Sequence, residues 1–200
     1  MSHYSQRQLL AVAERAAAKK HDPTRHKCFI SYHAEDTEEV KDFLEDFGSE
    51  FIAKTIGVTE EDDFIDSENT DYIMGQIRQK YLGNSTVTIV LVGKCTWARR
   101  FIDWEVYSSL RSSKLSTVNG LLAIELPSAA EAGGGKMPPR VADNVERSNG
   151  YDIGYARYYT YPQSANNLRN LIDDAFDART SRKELIKNDR ERKKYNSSCS

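Results

Sequence analysis

Thr86-Val87-Thr88-Ile89-Val90-Leu91-Val92 is the stretch that decides the fold. A strand with one wet face alternates apolar and polar residues. This one is apolar at nearly every position and β-branched at most, as a strand covered on both faces must be. Such strands belong to the middle of a parallel sheet. Gly93 ends it, and a helix is expected over residues 97–111. Upstream, residues 71–82 read as a helix with Ile73, Ile77 and Tyr81 inward, and residues 51–58 as a strand. Residues 36–47 form a further helix, because Val40, Phe43, Leu44 and Phe47 fall at i, i+3, i+4 and i+7. Asp36 and Glu39 read as its capping box. Lys27-Cys28-Phe29-Ile30-Ser31-Tyr32 is the first strand.

Downstream, residues 118–126 and 156–161 are the fourth and fifth strands, and residues 166–176 a closing helix. Residues 127–140, with Gly133-Gly134-Gly135 and Pro138-Pro139, read as a mobile loop. Strands alternating with helices imply right-handed crossovers. The fold class is therefore α/β, a flavodoxin-like five-stranded parallel sheet with helices on both faces and extra N- and C-terminal helices. In strand order 2-1-3-4-5, ligands bind where the order reverses, between the carboxyl ends of the first and third strands. Residues 31–36 and 93–105 line that point. The expected divisions are an N-terminal helix within 1–22, the domain at 24–180 and a charged tail at 181–200. The N-terminal helix has only a narrow apolar stripe (Leu9, Val12, Ala13, Ala16), which suits weak docking or self-association.

Composition narrows the function classes. The chain has 200 residues, 39% hydrophobic and 29% charged, which is ordinary for a globular protein. No apolar run approaches the length of a membrane span, and residues 1–8 lack a signal-peptide core. Net charge is −2, but acids crowd residues 35–71 and bases crowd the tail. An acidic flank repels phosphate backbones, so a nucleic-acid-binding core is not expected, and neither is a membrane partner. The basic tail reads as a solvated, fraying helix. Three cysteines suggest a reducing compartment without a disulfide framework, which makes the cytoplasm the expected location. The four histidines and three cysteines show no zinc spacing, so no metal is expected. Gly133-Gly134-Gly135-Lys136-Met137 is not a phosphate-binding P-loop, since Ala130 and Met137 stand where glycine and Ser/Thr belong. A phospho-accepting receiver would want acids where Ser31-Tyr32 and Val92-Gly93 stand.

One acid in the third helix resists a structural explanation. At about 100° per residue, Glu105 falls between Phe101 and Ile102, with no cation three or four residues away. It is either a border residue meeting water or a site residue. Asp103, with Arg99 and Arg100 four and three residues back, reads as an ordinary surface pair.

The first-strand stretch Lys27–Tyr32 resembles the opening motif of TIR domains, an aromatic-aliphatic-Ser-aromatic strand end. The stretch Gly93-Lys94-Cys95-Thr96-Trp97-Ala98-Arg99-Arg100-Phe101-Ile102-Asp103-Trp104-Glu105 resembles that family's third-helix motif, an aromatic followed four residues later by the catalytic glutamate. The likeness is closest to the TIR-like NAD-signalling proteins of bacterial Thoeris-type anti-phage defence, and covers about residues 27–176. Two departures stand out: Phe101 replaces the usual tryptophan, and the loop after the second strand lacks an Arg-Asp/Pro-Gly box.

The resemblance implies an NAD nucleosidase or ADP-ribosyl cyclase. It would cleave the nicotinamide–ribose bond and make an ADP-ribose-derived, cyclic messenger that reaches a separate effector. NAD enters as substrate and no cofactor is needed; self-association is expected. Glu105 takes the catalytic role, with Ser31, Tyr32, His33, Asp66 and Gly93 as substrate-binding candidates. Ser31 also suits a plain turn residue, Tyr32 a packing residue and Gly93 a plain strand end. His33 reads as exposed, Asp63 and Asp66 as a solvated acidic loop, and Trp97 and Trp104 as core or interface. The alternative function is a non-catalytic TIR-like module that binds proteins or nucleotides.

Overall fold

In a computed structural model the described residues are 5–18, 25–56, 69–112 and 117–199. The elements run α1 (Gln6–Ala18), β1 (Lys27–Ser31), α2 (Thr37–Phe47), β2 (Ile52–Ile56), α3 (Thr70–Gln76), β3 (Val87–Val92), α4 (Arg100–Ser109) and β4 (Gly120–Glu125). There follow α5 (Pro127–Glu131), α6 (Pro139–Asn144), a small antiparallel pair of β5 (Arg147–Ser148) and β6 (Tyr151–Asp152), then β7 (Arg157–Tyr159) and α7 (Ala165–Ser181). Five strands form one parallel sheet in the order β2-β1-β3-β4-β7, the doubly wound order expected. Among the described residues, no helix is long and apolar enough to cross a membrane.

Strand alternation explains why β3 is apolar throughout. Ile89 and Leu91 join Cys28, Ile30, Leu122 and Ile124 in a core under α1, α2 and α7. Val90 and Val92 face the other way, against Ile102 and Val106 of α4 and Val141 of α6. Phe29 packs on that second face with Ile73, Ile77 and Trp104. Thr88 is the polar member of β3. It is fully buried, and its hydroxyl meets Ser109 Oγ at 2.7 Å and accepts from Asn119 Nδ2 at 3.1 Å, so it is not left unsatisfied.

Four local expectations differ from the structure. First, α1 is not weakly docked: Leu9 and Ala13 lie inside the main core. A Cβ on Gly48, at the end of α2, would come within 2.9 Å of Ala16 Cβ, so α1 and α2 approach closely there. Second, residues 127–140 are not a bare loop. Pro127 and Pro139 each open a short helix, a position where the missing N–H costs nothing. Gly133 and Gly134 turn between them at positive φ. Third, the helix after β2 does not stay regular, because residues Ile77–Leu82 continue α3 as a π-helical turn.

Fourth, the basic tail is not a fraying helix. After α7 and a 3-10 turn (Lys183–Leu185) it runs back across α6 and α4 without regular secondary structure. Its end is tied by a disulfide between Cys95 and Cys199, 104 residues apart in sequence, where no disulfide was expected. Cys28 is free and buried.

Candidate functional site

The sheet's order reverses between β1 and β3, and Ser31, the last residue of β1, pairs in register with Val90. Phe29 and Ser31 point to the face covered by α3 and α4, because alternation sends Cys28 and Ile30 to the other. On α4, Ile102 and Val106 fix the face against the sheet, and Glu105 comes in beside them, 1% exposed. Ser31 Oγ donates to Glu105 Oε2 at 2.5 Å. The glutamate that lacks a cation along its own helix therefore has a hydroxyl partner from across the crevice, and it is a buried residue of the interior rather than a border residue.

Tyr32 does two things. It packs against the main core, and burial with the Glu105 charge pushes its phenol well above the ordinary range, so the two side chains share one electrostatic environment. His33 is half-buried rather than exposed. Its Nε2 lies 3.3 Å from Glu35, and burial together with the Arg99 charge lowers its pKa. Gly93 donates its N–H to Thr96 Oγ1 at 2.8 Å. A Cβ on Gly93 would sit 2.2 Å from Asp36 Oδ2, so the absent side chain is what admits that carboxylate. Asp66 and Asp63 lie outside the described residues.

Asp36 lies within the stretch expected to line the switch point, but the sequence reading took it only as a helix cap. It makes no capping hydrogen bond to α2. Its carboxylate instead turns over Gly93 and accepts from Thr96 Oγ1 at 3.3 Å. Burial raises its pKa to about 6, which the Thr96 hydroxyl opposes and the neighbouring Glu39 and Glu35 reinforce. Glu39, its supposed capping partner, accepts from Ser128 N at 2.8 Å. The available signal was the place of Asp36 at the start of the helix after β1, beside the switch point.

Asp103 is a correction. It is 2% exposed and pairs with Arg140, not with Arg99 or Arg100. Arg140 is fully buried, and its Nε and Nη2 reach the two Asp103 oxygens at 2.9 and 3.3 Å. Trp104 is core, as one of its readings had it, and Trp97 is half-buried under Lys136 Nζ, 3.7 Å from the ring centroid.

A cavity of about 880 Å³ opens elsewhere, lined by Asp103, Pro139, Asp143, Glu146, Lys187 and Arg190 among others. Asp103 and Glu105 are two residues apart on a helix, so this cavity faces away from the Ser31–Glu105 contact. Three of its acids are already paired: Asp143 with Arg190, Glu146 with Lys187, Asp103 with Arg140. Volume and chemistry point to different places here, and the chemistry is the better guide, because the buried Glu105 carboxyl meets Ser31 at the strand ends where the sheet order reverses.

The crevice joins a carboxylate held by a hydroxyl (Glu105, Ser31), an aromatic (Tyr32), a second carboxyl with a raised pKa (Asp36) and the nearby Arg99 charge. Such a set can stabilise a developing cation and orient hydroxyls. The family described as Thoeris protein ThsB, TIR-like domain, matches residues 29–131, from β1 to the end of α5. That span holds Ser31, Asp36, Gly93 and Glu105. No curated protein matches. The chain belongs to the Thoeris ThsB TIR-like family.

Proposed function

We propose that this protein consumes NAD, breaking the nicotinamide–ribose bond to make an ADP-ribose-derived, cyclic messenger for antiviral defence. The observation that carries the reading is the buried Glu105 carboxylate, gripped by Ser31 at the carboxyl ends of β1 and β3. Membership of the ThsB TIR-like family supports a place in a defence system.

The chemistry asks little beyond such a carboxylate. Nicotinamide leaves as the C1′–N bond breaks and its electron pair returns to the ring nitrogen, which turns a pyridinium into a neutral base. No general acid is needed. The ribose is left as an oxocarbenium-like cation, which a nearby carboxylate stabilises as carboxylates do in glycoside cleavage. Glu105 takes that role, and Ser31 holds its orientation. Tyr32, Gly93 and His33 are assigned to ribose or base, with Asp66 a further candidate. Attack by water on C1′ gives ADP-ribose and one proton. Attack by a hydroxyl or ring nitrogen of the same molecule gives a cyclic product, which a water-poor site favours. NAD is the substrate and no cofactor is invoked. The messenger then acts on a separate effector, with self-association of the chain.

Incubating the purified protein with NAD and separating the products tests this. Nicotinamide release with a nucleotide product lighter than ADP-ribose by one water supports the full reading. Release with ADP-ribose alone removes the cyclic product. NAD binding without release identifies a nucleotide-binding module, and neither binding nor release identifies an interaction module.

A further inference from the structure

Helix α4 carries Glu105 but has no cap of its own. Its N-cap residue is Arg99, whose side chain makes no capping hydrogen bond and has no oxygen to accept one. The cap comes from the far end of the chain: Asn196 Oδ1 accepts from the Arg100 N–H at 2.9 Å. The neighbouring contacts run in register, antiparallel to the segment they cover. Cys199 is bonded to Cys95, and Ser197 N donates to Ala98 O at 2.8 Å. Lys193 N donates to Asp103 Oδ2, and Trp104 Nε1 donates to Lys193 O, each at 2.8 Å. Residues 193–199 thus lie along residues 95–104 from the loop after β3 to the second turn of α4.

Beneath this strap, Asp103 is also the anchor of the buried Arg140, which reaches Asn188 Oδ1 at 3.0 Å further up the same tail. Asp103 and Glu105 project from different sides of α4, two residues apart. One side of the helix is fastened to the tail while the other presents the carboxylate to Ser31. A small rotation or fraying of the first two turns would move Glu105 relative to the sheet, and a buried 2.5 Å contact tolerates little displacement.

We infer that residues 193–199 are a positioning strap for the Glu105 helix, supplying its N-terminal cap and fixing the height at which Glu105 meets Ser31. The inference rests on the reading of Glu105 as the reacting carboxylate. Asn196 and the strap touch no reacting atom and act only through α4.

The test uses full-length Asn196→Ala and Asn196→Asp, with Cys199→Ser cutting the covalent end of the strap. Loss of an N-cap changes local opening by roughly fivefold. Asn196→Ala should therefore speed hydrogen exchange at the Arg100 amide about fivefold and lower kcat for nicotinamide release by a similar factor, with KM unchanged. Asn196→Asp keeps the acceptor oxygen and places a negative charge at a helix N-terminus, so it should restore both. Cys199→Ser should move both readouts in the direction of Asn196→Ala. Exchange and kcat within twofold of wild type in Asn196→Ala would overturn the inference. Faster exchange with unchanged kcat would also overturn it, because the strap would then be structural only. A wild-type protein that releases no nicotinamide contradicts the reading of Glu105 instead, and the Arg100 exchange rates then decide by themselves whether residue 196 caps the helix.

Discussion

Ser31 and Glu105, 74 residues apart in sequence, meet in a 2.5 Å hydrogen bond between the last residue of β1 and the middle of α4. Both are buried, so the hydroxyl fixes a charged acceptor out of bulk water. A hydrogen bond to a charged group contributes about 1.5–3 kcal/mol. Ser31→Ala should therefore slow nicotinamide release roughly ten- to a hundredfold while the protein stays folded. Steady-state rates alongside a melting curve check this, and a rate within threefold of wild type would count against the contact.

Asp103→Asn should be costly. The substitution leaves the Arg140 guanidinium buried against a neutral partner, and breaking a buried pair from one side costs about 3 kcal/mol or more. Chemical denaturation measures it. A loss below about 1 kcal/mol is what a surface pair would give, and would contradict the assignment.

Leu9→Ala tests the docking of α1. A fully buried leucine cut to alanine costs about 2–5 kcal/mol, whereas the same change on a free-standing helix is nearly silent. Urea unfolding distinguishes the two.

Asp36 gives stability a pH dependence of defined sign. Its folded pKa is raised to about 6, above the unfolded value near 4, so the native state holds the proton more tightly. The contribution is fully present below about pH 4 and is lost as pH rises through about 6. Asp36→Asn cannot titrate, so the wild-type minus variant stability should fall across that window. The groups facing it (Thr96, Glu35, Glu39 and Arg99) remain in both proteins. A flat difference between pH 4 and 7 would contradict the shift.

The sheet was legible because its signal is periodic. Val87–Val92 had to be central, and the parallel order followed from helices alternating with strands. Glu105 stood out for a local reason too, since no cation lies three or four residues away along its helix, but that spacing left a border residue and a site residue equally open; its burial against Ser31 is tertiary. What escaped the sequence was tertiary. Asp103 had plausible partners at Arg99 and Arg100, but its real one, Arg140, lies 37 residues further on in a segment whose glycines and prolines suggested a loop. Asp36 fitted a capping box, a local rule that the close approach to Gly93 overrode. Residues 193–199 carry no apolar period. Their hold on α4 is made by backbone groups, one asparagine and one cysteine, which no pattern announces.

The most direct test of the account is nicotinamide release from NAD by Glu105→Gln, measured beside wild type at matched folded content. The glutamine keeps the size of the side chain and an acceptor for Ser31, and loses only the charge. The account predicts release by the wild-type protein and a fall of at least a hundredfold in the variant, with the melting temperature little changed. Turnover by Glu105→Gln at the wild-type rate would contradict it.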